Sequence, residues 1–373
     1  MGWLMVNLFS NFFKPSPSKE KNRKTIGLLF LVSVLFFFLA RLVPIQEAAP
    51  LNHQMVLASR TMIKAMEGLK ECREKKAIPL SQKDVNNTGM IGKERSSITT
   101  TKGHLQAKRT STNPNFAGLV VYLLKEAGVE EQDPVALGAS GSFPSLIVAS
   151  LSAIKEMEAH PLLICSLGAS QWGANIPRFH WLRMHQCLIQ KGIFKTPSVG
   201  VSLGGSEDMG KDMNPQGRTL LLKDIKESGI PFIHEPDLEK NVEKRMKLYR
   251  KEIGSKEIQA FINIGGSFSN LGTDSRILKL NPGLTKISQV PLPSSPRGMI
   301  YEMASHDIPV IHLLNMKGLG QRYGLPWDPQ PLPSPGEGKI YRLLTEKKGA
   351  FLYISLVYVI VVAGLFAFRK KIG

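Results

Sequence analysis

Short apolar runs that end in loops of glycine and serine constrain this chain more than any other feature. The clearest is residues 134–145 (PVALGASGSFPS), which lead into a helical pattern through Ala159. Related junctions lie at 162–170, 198–206 and 258–267. Strand, glycine loop and helix form the repeating unit of a parallel sheet, and the start of each helix leaves backbone N–H groups free. These junctions therefore predict both a fold class and one place where ligands would bind.

Apolar runs and helical patterns alternate from residue 113 to residue 322. This alternation predicts an α/β domain with a mainly parallel, doubly wound sheet. In such sheets, ligands bind in a crevice at the carboxyl ends of the strands. We therefore expect the Gly/Ser-rich βα loops to gather along one edge of the sheet and to form the binding site.

Two apolar segments predict transmembrane helices on either side of this domain. Residues 26–45 are almost wholly apolar despite Arg41, and residues 349–368 are uncharged between clusters of basic residues. A bilayer core requires about 20 apolar residues of helix. A cleaved signal peptide is the alternative for the first segment, because small residues follow it at 47–49.

The basic residues of the two short tails predict the orientation of the chain in the membrane. Residues 1–25 carry five Lys/Arg and one Glu, and residues 369–373 carry three Lys/Arg and no acidic residue. Both tails are therefore expected in the cytoplasm, with the main domain outside the cell (inner) membrane.

The segments that join the main domain to the two spans differ in composition. Residues 46–112 begin with an apolar helical stripe at 55–75, which predicts a helix packed on the domain, and continue as a polar stretch from 81 that favours a flexible stalk. Residues 51–112 hold twelve Lys/Arg and five Asp/Glu, a net charge of +7, which suits anionic lipid or an acidic polymer. Residues 323–348 are rich in proline and predict an extended linker.

The three cysteines, Cys72, Cys165 and Cys187, include no CxxC pair. An odd number of cysteines argues against a framework of disulfides. Cys165 lies in an apolar run, which favours a buried free thiol.

The loop at residues 138–142 approaches the G-x-S-x-G turn of serine hydrolases, with Ser140 at the position of the nucleophile. It departs from that motif because Ser142 stands where the last glycine is expected. Catalytic triads are recognised by geometry, so sequence alone does not select a partner from the available histidines, His180, His185, His234 and His312.

Other motifs of cofactor chemistry are missing from the sequence. It contains neither a complete G-x-G-x-x-G nor a G-x-x-x-x-G-K-[ST] sequence, so we predict no nucleotide site. His180 and His185 are five residues apart, which does not place them on one helix face as metal ligands. We therefore predict no cofactor, no metal and no nucleic-acid partner.

Several ordered segments carry a resemblance to a known family. They are TTT (99–101), KRTSTNPNF (108–116), ALGASGSFPSL (136–146), SLGASQWGANIP (166–177), SLGGSEDMG (202–210) and EPDLEKNVEKRMKLY (235–249). Together they resemble the poly-gamma-glutamate system protein family over residues 55–340, and the layout with two spans is similar. Proteins of this family are membrane proteins encoded beside genes for the synthesis and export of poly-γ-glutamate.

The resemblance implies an accessory role in synthesis, export or retention of this capsule polymer. It implies as partners poly-γ-glutamate or another acidic polymer, the membrane subunits of the synthase, and the lipid bilayer. On this hypothesis the Gly/Ser loops and the basic segment bind glutamate carboxylates, and the predicted ligand-binding residues are Thr100, Arg109, Ser140, Ser142, Ser170, Asn175, Ser206 and Ser267.

Two alternatives remain at this point. One is an extracytoplasmic hydrolase or transferase that acts on the polymer with Ser140 as nucleophile. The other is a non-catalytic scaffold of the synthase complex that uses the two spans and the helix at 55–75.

Overall fold

One sheet contains the seven strands β1 (Pro134–Ser140), β2 (His160–Ser166), β3 (Gly200–Ser202), β4 (Phe232–Ile233), β5 (Ala260–Ile264), β6 (Gly283–Thr285) and β7 (Val310–Leu313). Their order across the sheet is β4-β3-β2-β1-β5-β7-β6. All neighbouring strands are parallel except β6, which runs antiparallel to β7. The predicted α/β class with a mainly parallel sheet is therefore confirmed.

The structure is a computed structural model that describes residues 19–42, 50–285, 296–342 and 347–371. Twelve α-helices lie within these residues: α1 (Lys19–Leu42), α2 (Pro50–Lys75), α3 (Leu105–Ser111), α4 (Asn115–Glu126), α5 (Pro144–Glu156), α6 (Trp181–Gln190), α7 (Pro215–Ser228), α8 (Leu238–Ile253), α9 (Phe268–Leu271), α10 (Met299–Ser305), α11 (Met316–Tyr323) and α12 (Lys347–Lys371). The chain forms two compact units, residues 48–344 and the two terminal segments 1–47 and 345–373.

Helices cover both faces of the sheet in the larger unit. Successive side chains of a strand point to opposite faces. In β1, Leu137 therefore packs in the core shared with α2, α4 and α5, whereas Ala136 packs in the core shared with α8 and α10. All seven residues of β1 are buried, because β1 has a strand on each side and helices above and below it.

The direction in which the chain crosses the sheet reverses beside β1. Strands β1 to β4 follow one another toward one edge, and the chain then returns to place β5 on the other side of β1. At such a point, the loops after the two central strands leave the sheet in opposite directions and a crevice opens between them. The loops that follow β1 and β5 are therefore the first place to look for a binding site.

The predicted helix at 55–75 is observed as α2, and its stripe of Met55, Met62, Met66 and Leu69 is buried in the core. The prediction of a flexible stalk after it is wrong. Arg73 is buried and donates hydrogen bonds to the carbonyl oxygens of Gly89 (3.0 Å) and Ile91 (3.3 Å). These bonds hold the polar segment against α2 and satisfy backbone groups that no regular element pairs.

The prediction of an extended linker at 323–348 is also wrong for residues 323–341. Asn115 donates hydrogen bonds to the carbonyl oxygens of Ser334 and Glu337, each at 3.0 Å. Tyr341 is buried, and its hydroxyl bonds Ser59 and Asn115. The proline-rich segment thus packs against α2 and α4 instead of extending into solvent.

Two of the three cysteines form a disulfide, contrary to the expectation from their odd number. Cys72 of α2 is bonded to Cys187 of α6, 115 positions away in sequence, and Cys165 is a buried free thiol as predicted. Burial raises the pKa of the Cys165 thiol well above its ordinary value.

The smaller unit contains the pair of helices α1 and α12. The hydroxyls of Ser33 and Tyr358 lie 2.8 Å apart, and the rings of Phe36 and Tyr358 are in contact at 5.5 Å between centroids. The side chains described in these helices are those of residues 26–39 and 353–367. Over the described residues, no helix is long and apolar enough to cross a membrane, so the two predicted spans are not confirmed.

Removal of the disulfide is expected to destabilise the larger unit. A bridge that closes a loop of 115 residues lowers the entropy of the unfolded chain, and its loss should cost about 4 kcal/mol. The double variant Cys72→Ala/Cys187→Ala should therefore unfold at lower urea concentration than the wild type, whereas Cys165→Ala should keep the bridge. Rapid alkylation of Cys72 and Cys187 in the native protein without reductant would contradict the assignment of the bridge.

Candidate functional site

Three of the predicted serines meet at the carboxyl edge of the sheet. Ser140 ends β1, and Ser142 and Ser170 lie in the loops after β1 and β2. The Ser140 hydroxyl donates to Ser142 Oγ at 3.0 Å, and the backbone N–H of Ser170 donates to the same oxygen at 2.9 Å. Because Ser142 Oγ accepts both of these hydrogen bonds, its own hydrogen can be donated to a ligand. Ser142 is half-buried, so this residue is partly open to solvent.

Close contact between the two loops explains why glycine recurs in them. A Cβ atom at Gly173 would lie 2.8 Å from the Cα and carbonyl oxygen of Ser142. A Cβ at Gly92, in the segment that crosses above, would lie 2.0 Å from the carbonyl oxygen of Gly173. Both distances are too short for any other residue type, so glycine is required for the layers of backbone to meet.

Lys108 is a charged residue in direct contact with this cluster of serines. Its side chain descends from α3 and is 3% exposed. The Nζ atom donates to Ser170 Oγ at 2.9 Å and to the carbonyl oxygen of Ser142 at 2.5 Å. It also lies over the Phe143 ring, 3.6 Å from the centroid. Lys108 thus connects the loops after β1 and β2 from within the protein.

The environment of Lys108 disfavours a charged amine. Within the described residues, no carboxylate forms an ion pair or a hydrogen bond with Nζ, whose partners are neutral oxygens and an aromatic ring. Burial lowers the pKa of Lys108 to about 7. The face of the Phe143 ring attracts a cation and offsets part of this cost, so both protonation states are accessible near neutral pH.

The positive end of a helix adds to this unfavourable environment. Helix α5 begins at Pro144, directly after the loop that accepts the Lys108 hydrogen bond, and Ser145 in its first turn bonds Ser111 of α3 at 2.5 Å. A cation at a helix N-terminus is repelled by the macrodipole, whereas an anion is stabilised there. The site therefore combines a buried amine, a helix start and hydroxyl donors, and each of these groups favours a negative charge.

The loop after β5 borders the same cluster. A Cβ at Gly265 would lie 3.3 Å from Ser140 Cβ and 3.4 Å from Phe143, so this loop rests directly on the one after β1. Ser267, two residues further along, is 7% exposed, and its hydroxyl has no hydrogen-bond partner among the described residues. An unpaired buried hydroxyl is costly, which marks this position as one that a ligand could satisfy.

Thr100 and Ser206 lie at the same edge but do not join the serine cluster. The Thr100 methyl group faces Gly168 and Gly205, and its backbone N–H donates to the carbonyl oxygen of Ala169 at 3.0 Å. Ser206 is exposed in the loop after β3, and its N–H donates to Asp212 at 2.7 Å. Both residues border the loops after β2 and β3. These loops lie one strand further from the point beside β1 where the direction of the chain reverses.

Arg109 and Asn175 are occupied by internal contacts. Arg109 forms a two-pronged ion pair with Asp328 of the proline-rich segment, with Nε 2.7 Å from one carboxylate oxygen. The Asn175 side chain bonds the backbone N–H and carbonyl of Lys93 (2.8 and 2.7 Å) and the Thr99 hydroxyl (2.9 Å). Their positions indicate that these two residues hold the polar segment in place.

A buried ionic network lies beneath the loop after β3. Asp208 accepts hydrogen bonds from Ser166 (2.9 Å), Ser202 (2.7 Å) and Arg245 (2.7 Å), and both Asp208 and Arg245 are fully buried. Asp208 has φ = 62° and Glu207 has φ = 52°, a conformation that side chains other than glycine adopt at a cost. The network anchors this strained loop to α8.

The histidines do not form a triad with Ser140. His180 bonds Asp224 at 2.7 Å, His185 bonds Ser198 at 3.2 Å, and His312 bonds Asn263 at 3.0 Å. Burial lowers the pKa values of His185 and His312 to about 4. His234 is exposed beside β4, where its ring contacts Phe232. None of these four histidines bonds Ser140, whose hydroxyl bonds Ser142, so the structure does not bring together the Ser–His pair that the hydrolase alternative requires.

A metal centre and a second cavity are two further features that bear on function. The described residues include no group of three His, Cys, Asp or Glu side chains that could hold a metal ion. A separate cavity opens at the opposite edge of the sheet, between α8 and the segments that lead into β5 and β7, and is lined by Arg250, Lys256 and His306 among others. It shares no residue with the serine cluster.

The polar segment carries exposed cations beside the site. Lys93, Arg95 and Lys102 are exposed, and none of them forms an ion pair with a described residue; Glu94 is the acidic residue among them. This segment lies on the loop after β2 through backbone hydrogen bonds from Gly92 to Trp172 (3.1 Å) and from Gln171 to Thr101 (3.0 Å). We refer to Lys93, Arg95 and Lys102 as the basic strip.

The buried amine predicts a specific dependence of stability on pH. The pKa of Lys108 is about 7 in the folded protein and about 10.4 in an unfolded chain. Between these values the unfolded chain binds more protons, so the contribution of Lys108 to folding becomes more favourable as pH rises. From pH 7 to pH 9 the wild type should gain about 2 kcal/mol relative to Lys108→Met.

Urea unfolding of the full-length protein in mild detergent at several pH values measures this difference. Lys155→Met is the matched control, because Lys155 is exposed and its removal should leave the pH dependence unchanged. A constant difference between the wild type and Lys108→Met across this pH range would show that the folded protein does not depress the pKa of this lysine.

Comparisons of the chain with protein-family models, with curated proteins and with solved structures gave no match. The assignment of a function therefore depends on the geometry of the site itself.

Proposed function

We propose that this protein is a membrane-anchored accessory component of poly-γ-glutamate synthesis or export, and that its larger unit binds the polymer at the carboxyl edge of the sheet. The observation that carries the proposal is the position of Lys108. A buried amine without a carboxylate partner, beside a helix start and two hydroxyl donors, is stabilised when an anion enters the site.

The hydroxyls suit a carboxylate in particular. Ser142 Oγ accepts two internal hydrogen bonds and Ser170 Oγ accepts one from Lys108. The hydroxyl hydrogens of both residues are then available for the two oxygens of one carboxylate, which accepts up to four hydrogen bonds. Lys108 lies behind the hydroxyls and supplies the charge.

The basic strip extends this site into a surface for a polymer. Each residue of poly-γ-glutamate carries a free carboxylate, so a chain that places one carboxylate at Ser142 and Ser170 presents others to Lys93, Arg95 and Lys102. These exposed cations attract a polyanion over a distance set by the Debye length, about 8 Å at physiological ionic strength. Their contribution to affinity therefore decreases as salt is added.

Two observations support a location on the outer side of the cell membrane. Disulfides persist in oxidising compartments and are rare in the cytosol, and Cys72–Cys187 joins two helices of the larger unit. The helix pair α1 and α12 exposes many large apolar side chains: Ile26, Leu28, Phe30, Leu31, Leu35, Phe37, Phe38, Leu39, Tyr353, Leu356, Val359 and Ile360. A surface of this kind is stable in lipid, which favours two membrane anchors. The basic residues of the two tails then favour cytoplasmic termini.

Binding of purified poly-γ-glutamate to the full-length protein in detergent tests the proposal. We expect co-migration of intact polymer with the wild type, and a loss of affinity of about 10- to 100-fold in Lys108→Met, because a hydrogen-bonded charge is removed. The affinity of the wild type should fall as pH rises through about 7, as Lys108 loses its proton, and should fall with added salt.

A matched pair of triple variants separates the basic strip from net charge. Lys93→Ser/Arg95→Ser/Lys102→Ser should weaken binding and reduce its dependence on salt. Lys223→Ser/Lys240→Ser/Lys247→Ser removes the same charge from exposed positions on α7 and α8 and should bind normally. Equal losses in both variants would indicate nonspecific attraction, and no binding by the wild type would leave the scaffold hypothesis.

The proposed orientation predicts the behaviour of a fusion at the C-terminus. Green fluorescent protein fused after Gly373 should fluoresce in cells, and cysteine introduced at the exposed position Lys251 of α8 should react with a membrane-impermeant maleimide in intact cells. If the maleimide reaches Lys251→Cys only after lysis, the larger unit faces the cytoplasm and the proposed location is wrong.

A further inference from the structure

The pair formed by Lys108 and Ser170 has the geometry of a nucleophile and its base. A neutral lysine amine has two hydrogens and one lone pair. One hydrogen bonds the carbonyl oxygen of Ser142, and the lone pair is then directed to the hydroxyl of Ser170 at 2.9 Å. The same two contacts therefore hold Lys108 in either protonation state, and only the direction of the hydrogen bond to Ser170 changes.

From this geometry we infer that the site also catalyses acyl transfer on the bound polyamide, with Ser170 as the nucleophile and Lys108 as the general base. A lysine acts as a general base when burial removes it from water and a neutral amine is populated near pH 7. A serine requires such an adjacent base to attack an amide. The inference depends on the proposed function, because the bound polymer supplies the amide bond that would be attacked.

The reaction balances with groups that are present and with water. Ser170 Oγ attacks the carbonyl carbon of a γ-amide, and neutral Lys108 takes the hydroxyl proton. The C–N bond breaks, protonated Lys108 returns the proton to the leaving nitrogen, and the acyl group remains on Ser170 as an ester. Attack by water, with Lys108 again as base, releases a shortened polymer with a new carboxylate, and attack by an amine would transfer the acyl group instead.

Ser142 is placed to stabilise the negative charge that forms on the carbonyl oxygen. Its backbone N–H bonds Ser140 Oγ at 3.2 Å, and its hydroxyl oxygen is fixed by the bonds from Ser140 and Ser170. The remaining hydroxyl hydrogen is oriented before substrate arrives, which is the property required of an oxyanion donor. Ser140 is thus assigned a positioning role in place of the nucleophilic role that the hydrolase alternative gave it.

Ser170 is preferred to Ser140 as the nucleophile because of their hydrogen bonds. Among the described residues, Ser140 Oγ bonds other parts of the loop after β1 and has no contact with a group that can accept its proton as a base. Ser170 Oγ contacts Lys108 directly. Contact between the nucleophile and its base is the first geometric requirement for this chemistry.

The test follows polymer length and covalent labelling with the full-length protein in detergent. Wild type should shorten purified poly-γ-glutamate and should react at Ser170 with a fluorophosphonate, as located by peptide mass spectrometry. Ser170→Ala should lose both properties, with turnover reduced at least ~10³-fold. Lys108→Arg keeps the charge but cannot act as a base near neutral pH, so it should bind polymer and fail to cleave it.

The pH dependence separates catalysis from binding. Turnover of saturated enzyme should rise with pH through about 7, as Lys108 becomes neutral, whereas affinity for the polymer should fall over the same range. Ser198→Ala removes a buried hydroxyl at the opposite edge of the sheet and should leave turnover, labelling and binding unchanged.

The outcomes distinguish the two proposals. Polymer bound intact at every pH, with no label on Ser170, would overturn the catalytic inference and leave the binding function in place. Labelling of Ser170 that depends on Lys108, without affinity for poly-γ-glutamate, would support the nucleophile and reject this polymer as its substrate. Cleavage that survives in both Ser170→Ala and Lys108→Arg would show that the activity belongs to other residues or to a contaminant.

Discussion

The architecture of the site depends on one amine that is removed from water without a carboxylate to neutralise it. Folding stability alone does not favour this arrangement, because a buried ammonium group is costly and a methionine would fill the same space. The loops around Lys108 nevertheless converge on it, with a carbonyl oxygen from Ser142, a hydroxyl from Ser170 and the ring of Phe143. Groups that destabilise a fold and are held rigidly in place are typical of functional sites, where the energy is recovered when a ligand binds.

The rest of the larger unit can be understood as the support for this amine. The sheet brings the loops after β1, β2 and β5 to one edge, and the polar segment crosses above them on a layer of glycines. Arg73 and Asn175 fasten that segment by hydrogen bonds to its backbone, and Arg109 ties α3 to the proline-rich segment through Asp328. Helix α3 has only seven residues and would not be stable alone, so these contacts are what set the position of Lys108.

The sequence predicted the sheet well because the signals for its strands and helices lie in short, continuous stretches of residues. The charged helix α8 shows how local such signals are, since Asp237 caps it and Gly254 terminates it, and the apolar strands required only short runs of residues. The meeting of Ser140, Ser142 and Ser170 also followed, because parallel strands place their carboxyl ends together.

Lys108 was not predicted as a site residue, because the rotation of a short helix decides whether Lys108 or its neighbour Arg109 points inward. No periodic pattern in the sequence reports that rotation. The disulfide was missed for a similar reason: Cys72 and Cys187 come together only when α2 packs beside α6.

Binding and catalysis at this site would compete for the same proton. A carboxylate beside Lys108 favours the ammonium form and raises its pKa, whereas attack by Ser170 requires the neutral amine. A polymer whose carboxylate occupied the serine cluster itself would therefore inhibit cleavage, and a productive complex must place the amide carbonyl there and leave the carboxylates to Lys93, Arg95 and Lys102. The γ-linkage suits this arrangement on the acyl side, since two methylene groups and the Cα separate each amide carbonyl from the free carboxylate of the same residue. On the two proposals, a neutral base in the crevice and a charged strip outside it would be the physical condition under which one site could both hold an anionic polyamide and cut it.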